Sequence, residues 1–204
     1  MAARSGLLRL AAGIVFLAGL LAFDARASNE PVEAVWKVQR LTFQYRGDST
    51  FYTCGGLRQK LEVILTRLGA HESLRLNGFA CNEQVGNVVF QITLASPVLA
   101  TEENVRALTT YTSEQELIAR TRGQSLPSAE DIQRFPAHWE TISFARDRRM
   151  RIEPGDCELV RQLTRSILPY LTVQVVEDRL HCSSFGNMHR PRLIVAALVP
   201  SPSR

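Results

Sequence analysis

The chain has 204 residues, 45% of them hydrophobic and 22% charged. That balance excludes a disordered, collagen-like or coiled-coil protein and leaves room for one domain or two small ones. Twenty-four Lys and Arg against twenty Asp and Glu give a net charge of +4, too small an excess to indicate nucleic-acid binding.

The N-terminus reads as an export signal. Arg4 and Arg9 precede an apolar run from Leu10 to Phe23, which Asp24 breaks. Ala25-Arg26-Ala27 then offers small residues at both specificity positions of a signal-peptidase site. The apolar run is short for a membrane span, which needs roughly 20 residues. We therefore expect residues 1–27 to be a signal peptide cleaved after Ala27, with an uncleaved anchor as the alternative. The mature chain would carry 21 basic and 19 acidic residues and no transmembrane segment. It is expected to be periplasmic or secreted.

The four cysteines, Cys54, Cys81, Cys157 and Cys182, fit an oxidising compartment and two disulfides. Their surroundings repeat. Trp36 and Trp139, the two tryptophans of the chain, each lie 18 residues before a cysteine. Leu57-Arg58-Gln59 and Val160-Arg161-Gln162 follow at the same offset, as do Ile64-Leu65 and Ile167-Leu168. Gly86-Asn87 and Gly186-Asn187 precede apolar runs from Val88 to Leu94 and from Leu193 to Val199. Shared features in one order predict an internal duplication.

Taken along the chain, each copy reads strand, helix, strand, strand. Leu41, Phe43 and Tyr45 alternate with polar residues, the mark of a half-buried strand. Arg46-Gly47-Asp48-Ser49 is a turn. Thr53 is a good N-cap for a helix whose stripe is Leu57, Leu61, Ile64, Leu65 and Leu68, and Gly69 ends it. Strands follow at about 73–80 and over the Val88 run. In the second copy Asp156 takes the N-cap place. Val160, Leu163, Ile167 and Leu168 form the helical stripe, which Pro169 limits. Its later strands lie at about 172–181 and over the Leu193 run.

The fold class is thus α+β: two tandem βαββ units, at 28–97 and 138–204, joined by a partly helical connector at 98–137. The first two strands of each unit should run parallel and the last should return antiparallel. A helix of about 14 residues spans about 21 Å, and an eight-residue strand returns about 26 Å. The second cysteine of each unit therefore comes back to the level of the first, which predicts the pairs Cys54–Cys81 and Cys157–Cys182. In the connector, Ser113-Glu114-Gln115-Glu116 reads as a capping box opening a helix toward Gly123. Ser128-Ala129-Glu130-Asp131 suggests a further helical turn. Leu117, Ile118, Ile132 and Phe135 need cover, so the connector is expected to pack across the two copies.

The segment Tyr52-Thr53-Cys54-Gly55-Gly56-Leu57-Arg58-Gln59-Lys60-Leu61, closing with Leu68-Gly69-Ala70, resembles one shared by small exported proteobacterial proteins of unknown function. The likeness covers mainly this strand–helix region and the stretch around Trp36. It implies a bacterial periplasmic protein in which Cys54 is structural, and it brings no activity.

Candidate chemistry is sparse. Gly47-Asp48-Ser49 is similar to the nucleophile block of some serine esterases, but none of His71, His138, His181 and His189 sits in a recognisable partner block, and the residues also suit a plain turn. Arg46-Gly47-Asp48 matches the cell-adhesion tripeptide, a match of little information. His181, Cys182, Met188 and His189 form a copper-like ligand set, although Cys182 is expected to be oxidised. Arg146, Arg148, Arg149 and Arg151 crowd one stretch and are the candidate contact for an anionic envelope component. Arg58 and Arg161, at one offset in both helices, either lie along the apolar stripes or pair with a carboxylate of the other copy. No Walker loop, dinucleotide fingerprint, Cys-x-x-Cys or zinc-ligand motif is present, so no cofactor, no metal and no catalytic residue is assigned. The expected function is a non-enzymatic periplasmic binding or envelope-assembly module, acting on an envelope protein or an anionic envelope component. A hydrolase with an unrecognised site and a metal-handling protein are the alternatives.

Overall fold

The computed structural model describes residues 30–79, 87–183 and 189–202. The expected signal segment, Cys81, Gly86, Met188 and the pair Gly186-Asn187 lie outside them. The protein is α+β. Its strands are β1 (Val32–Arg46), β2 (Arg75–Phe79), β3 (Asn87–Leu99), β4 (Arg134–Ser143), β5 (Val173–Arg179) and β6 (Arg192–Pro200). Its helices are α1 (Cys54–Arg67), α2 (Glu102–Thr109), α3 (Ser113–Thr121) and α4 (Cys157–Ser166).

The six strands form one sheet in the order β2-β3-β1-β4-β6-β5, and every neighbouring pair is antiparallel. Because β3 is antiparallel to both β1 and β2, those two run parallel with β3 lodged between them; β4 and β5 stand in the same relation to β6. The long β1–β3 pairing runs from Ala34 opposite Leu99 to Arg46 opposite Asn87. In the middle of the sheet, β1 and β4 pair over Val32–Val35 and Arg134–Ala137 alone. Beyond that seam the two halves are held by side chains.

Strand alternation sorts the two faces. Phe43 and Tyr45 of β1 and Phe90 and Ile92 of β3 are fully buried beneath the α1 stripe of Leu57, Leu61, Ile64, Leu65 and Leu68. Each such side chain contributes about 1.5–3 kcal/mol by its removal from water. The same core continues through Ile142, Phe144, Leu163, Leu193 and Val195, so both halves share one interior. The opposite face carries a smaller cluster: Ala34, Ala137 and Leu198 with Val32, Leu99, Phe135 and Trp139. Trp36 stacks on Phe135 there, with ring centroids 4.4 Å apart. Trp36 stands opposite Pro97 and Trp139 opposite Leu198.

Local signals act largely as the residues suggest. Thr53 caps α1, its hydroxyl accepting from the Gly56 amide at 3.1 Å. Gly69 follows with φ +94°, and a Cβ there would come 2.7 Å from the Leu198 carbonyl oxygen, so glycine is required both by backbone conformation and by space. Asp156 does occupy the N-cap of α4, but its side chain makes no cap bond to that helix. The carboxylate instead accepts from the Glu153 amide, the Tyr52 hydroxyl and Lys60. Three charge-assisted bonds outweigh one cap bond.

The connector departs from expectation. The capping box falls one residue earlier, between Thr112 and Gln115. Ser128–Asp131 is a turn in which the Ser128 amide and hydroxyl bond the Asp131 carboxylate. Leu117 and Ile118 are exposed rather than covered, and Ala119 is the buried residue of α3. Three consecutive positions spread over more than half the helix circumference, so one face cannot bury them all.

Candidate functional site: a cleft between α1 and the β4–β6 strands

The last two turns of α1 stand over the middle of β4 and the end of β6 and leave a cleft of about 820 Å³, within the size range of small-molecule sites. Val63, Gly69, Ala70, Val199 and Pro200 give it an apolar lining. Alternation along β4 brings His138 and Glu140 to the same wall, and Arg67 and Arg149 complete it. Gly69 lets the chain leave α1 close against β6 and so sets the closed end of the cleft.

Arg67 organises the polar wall. Its Nη1 and Nη2 donate to the two Glu140 oxygens at 2.7 and 2.5 Å, and its Nε donates to Asp147 Oδ2 at 2.6 Å. This fork geometry is the one in which guanidinium–carboxylate pairs are strongest. Arg149 adds contacts to Glu140 at 3.5 Å and to Asp147 at 3.2 Å. The Arg67 hydrogen bonds hold the Glu140 carboxyl below the usual carboxylate range against the opposing effect of burial. At Asp147 burial pushes the other way, and the bonds from Arg67 and Arg149 outweigh it, so its pKa is also lowered. Both carboxylates therefore stay ionised at neutral pH and act as acceptors rather than proton donors. His138 Nδ1 lies 3.2 Å from Ser201 Oγ. Two guanidinium groups and two carboxylates thus balance in the wall, and the Arg149 side chain is 69% exposed at the mouth.

The predicted arginine cluster divides. Arg149 reaches this cleft. Arg151, with φ 51°, lines a separate hollow beside Lys60. Arg146 and Arg148 are exposed. Ser49 meets no imidazole among the described residues: its hydroxyl donates to Glu158 Oε1 at 2.9 Å, and the Asp48 and Ser49 amides donate to the same carboxylate. Arg58 is exposed, and neither it nor Arg161 forms an ion pair among the described residues. The cross-half ion pairs among the described residues are Lys60 with Asp156, Arg67 with Glu140 and Asp147, and Arg134 with Glu33. Cys157 and Cys182 form a disulfide with Cα atoms 5.5 Å apart. Cys54 is also a half-cystine, and the expected partner Cys81 lies outside the described residues. Among the described residues no group of three or more His, Cys, Asp or Glu could hold a metal ion, and no helix is long and apolar enough to cross a membrane.

Sequence reasoning missed Arg67, His138 and Glu140 as a unit. Arg67 and Glu140 are 73 positions apart, and neither sits in a motif. The available signal was modest: a basic residue in the last turn of a strongly striped helix, and an acid alternating within a strand. No protein-family model matches this sequence, and no curated protein and no solved structure matches it either.

Proposed function

We propose that the protein is an exported, periplasmic, non-enzymatic binding module whose ligand occupies the cleft between α1 and the β4–β6 strands. One observation carries this reading. The cleft joins an apolar lining to a wall on which Arg67 and Arg149 pair with Glu140 and Asp147, with the exposed Arg149 and Glu62 side chains at its mouth. Such a site suits an amphipathic molecule with an apolar body and a polar head, to which the exposed Arg149 guanidinium can offer its remaining N–H donors. Proton transfer is poorly served, because Glu140 and Asp147 are held ionised by guanidinium groups.

Two tandem βαββ units remain the reading of the architecture. Its support is that, outward from the central seam, β1-β3-β2 and β4-β6-β5 repeat one order, with a helix between the first and second strand of each half. Export is supported by the Cys157–Cys182 disulfide, since such bonds persist in oxidising compartments. The signal-like residues 1–27 and the likeness to exported proteobacterial proteins agree with it.

The test is a fluorescence titration with 1-anilinonaphthalene-8-sulfonate, an apolar body with an acidic head, followed by displacement with dodecanoate. Saturable, displaceable binding is expected, and Val63→Trp, which fills the cleft from α1, should abolish it while the thermal transition persists. Absence of saturable binding to the native protein, or binding indifferent to Val63→Trp, would overturn the assignment.

A further inference from the structure

At the far end of the sheet, away from the cleft, β5 and β6 close on a concavity of about 390 Å³. The charged groups of its lining are of one sign, Arg179, Arg190 and Arg192, and His181 and His189 stand beside them. Arg179 and Arg192 are direct partners in the β5–β6 ladder. Like charges opposite one another in a ladder destabilise a sheet, so this pair opposes the fold that contains it. Compensation is slight. Among the described residues, Glu177 lies 3.1 Å from Arg179, Arg190 makes a long 3.4 Å bond to the Ala145 carbonyl, and Arg192 has no ion pair. His181 Nδ1 faces the Arg179 carbonyl oxygen at 3.3 Å. Asp156 and Glu158 flank Cys157 in sequence, but both are buried and committed to Lys60, Tyr52 and the Ser49 turn.

The strand ends that present these groups are fixed. The Cys157–Cys182 disulfide ties the chain just beyond β5 to the first residue of α4, and Cys157 itself lines the concavity. Pro191 is buried immediately before β6. Convergent guanidinium groups on a fixed frame offer paired N–H donors to a multiply charged oxyanion, and a hollow lined by one sign concentrates its counter-ion.

We propose that this concavity binds a phosphate monoester carried on a sugar-sized body. A tetrahedral dianion accepts from several guanidinium groups at once, and the volume exceeds what a bare phosphate fills. The repulsion between Arg179 and Arg192 is relieved when the ligand is bound. The site is independent of the cleft beneath α1, so either assignment can fail alone.

Three measurements on the protein test it. Isothermal titration with glucose 6-phosphate, with glucose as the uncharged control, should give saturable binding for the phosphate ester alone. Arg192→Gln should weaken it at least tenfold, whereas Arg134→Gln, which removes an exposed arginine elsewhere, should leave it unchanged. Without ligand, Arg192→Gln should raise the melting temperature by removing the ladder repulsion, and glucose 6-phosphate should no longer raise it further. Co-sedimentation with vesicles containing phosphatidic acid, whose headgroup is a phosphate monoester, distinguishes the source of the phosphate. Binding that glucose 6-phosphate displaces indicates a lipid headgroup in the same site, and no vesicle binding indicates a soluble ester; both agree with the proposal. No saturable binding of glucose 6-phosphate, equal loss in Arg134→Gln, or vesicle binding indifferent to Arg192→Gln would overturn it.

Discussion

Arg67, in the last turn of α1, and Glu140, in the middle of β4, form a two-pronged ion pair at 2.5 and 2.7 Å that links the two halves of the sheet across their shared core. The β1–β4 seam supplies only a short run of backbone bonds, so this pair and its neighbours carry much of the orientation of one half against the other.

Arg67→Gln should cost about 1–3 kcal/mol, between the values for exposed and for buried ion pairs, because the Arg67 and Asp147 side chains are only 12% and 11% exposed. The pH dependence follows from the lowered pKa values of Glu140 and Asp147. A carboxyl whose folded value lies below its unfolded value contributes stability that is present above the unfolded pKa, near 4, and lost as pH falls through the folded one. Urea midpoints measured from pH 7 to pH 2 should therefore drop below about pH 4, and Arg67→Gln should flatten that drop.

Glu158 is the complementary link, reaching from α4 to the turn after β1. It is 3% exposed and accepts from the Asp48 amide, the Ser49 amide and the Ser49 hydroxyl. Glu158→Ala strands these donors in the interior and should cost about 2–4 kcal/mol. Ser49→Ala removes one bond and should cost about 1 kcal/mol. Equilibrium denaturation with an unchanged slope and a shifted midpoint is the measurement.

Tyr52 and Tyr45 stack edge to face at 5.2 Å beside these acids. Burial and the hydrogen bond to Asp156 push the Tyr52 hydroxyl far above its usual value, and burial does the same to Tyr45. Unfolded tyrosines ionise near pH 10 while these do not, so stability is full below about pH 10 and declines above it. Tyr52→Phe should reduce the alkaline decline while losing the 2.6 Å bond to Asp156. Absorbance at the phenolate band during a pH jump, alongside denaturation at pH 9 and pH 11, reads both effects.

The Cys157–Cys182 bridge closes a separation of 25 residues. Cys157→Ser with Cys182→Ser should cost about 2–4 kcal/mol through loop entropy regained by the unfolded chain. Peptide mapping without reduction should recover this pair, together with a fragment joining Cys54 to Cys81 if each half carries its own bridge.

The residues reveal what neighbours a few positions away decide. Thr53, the Leu57–Leu68 stripe and Gly69 delimit α1 because caps, periodicity and a left-handed stop are local properties. The alternation at Leu41, Phe43 and Tyr45 marks β1 for the same reason. The return of the chain to Cys182 also follows from summed element lengths. Only the tertiary structure placed β3 between β1 and β2, joined the halves at Val32–Val35, and set Arg67 against Glu140 and Glu158 beneath Ser49. Those contacts join residues 73 and 109 positions apart. Such partners are chosen by how two buried faces meet, and no local propensity records that choice. The cleft, which exists only in the space between α1 and β4, was illegible on the same ground.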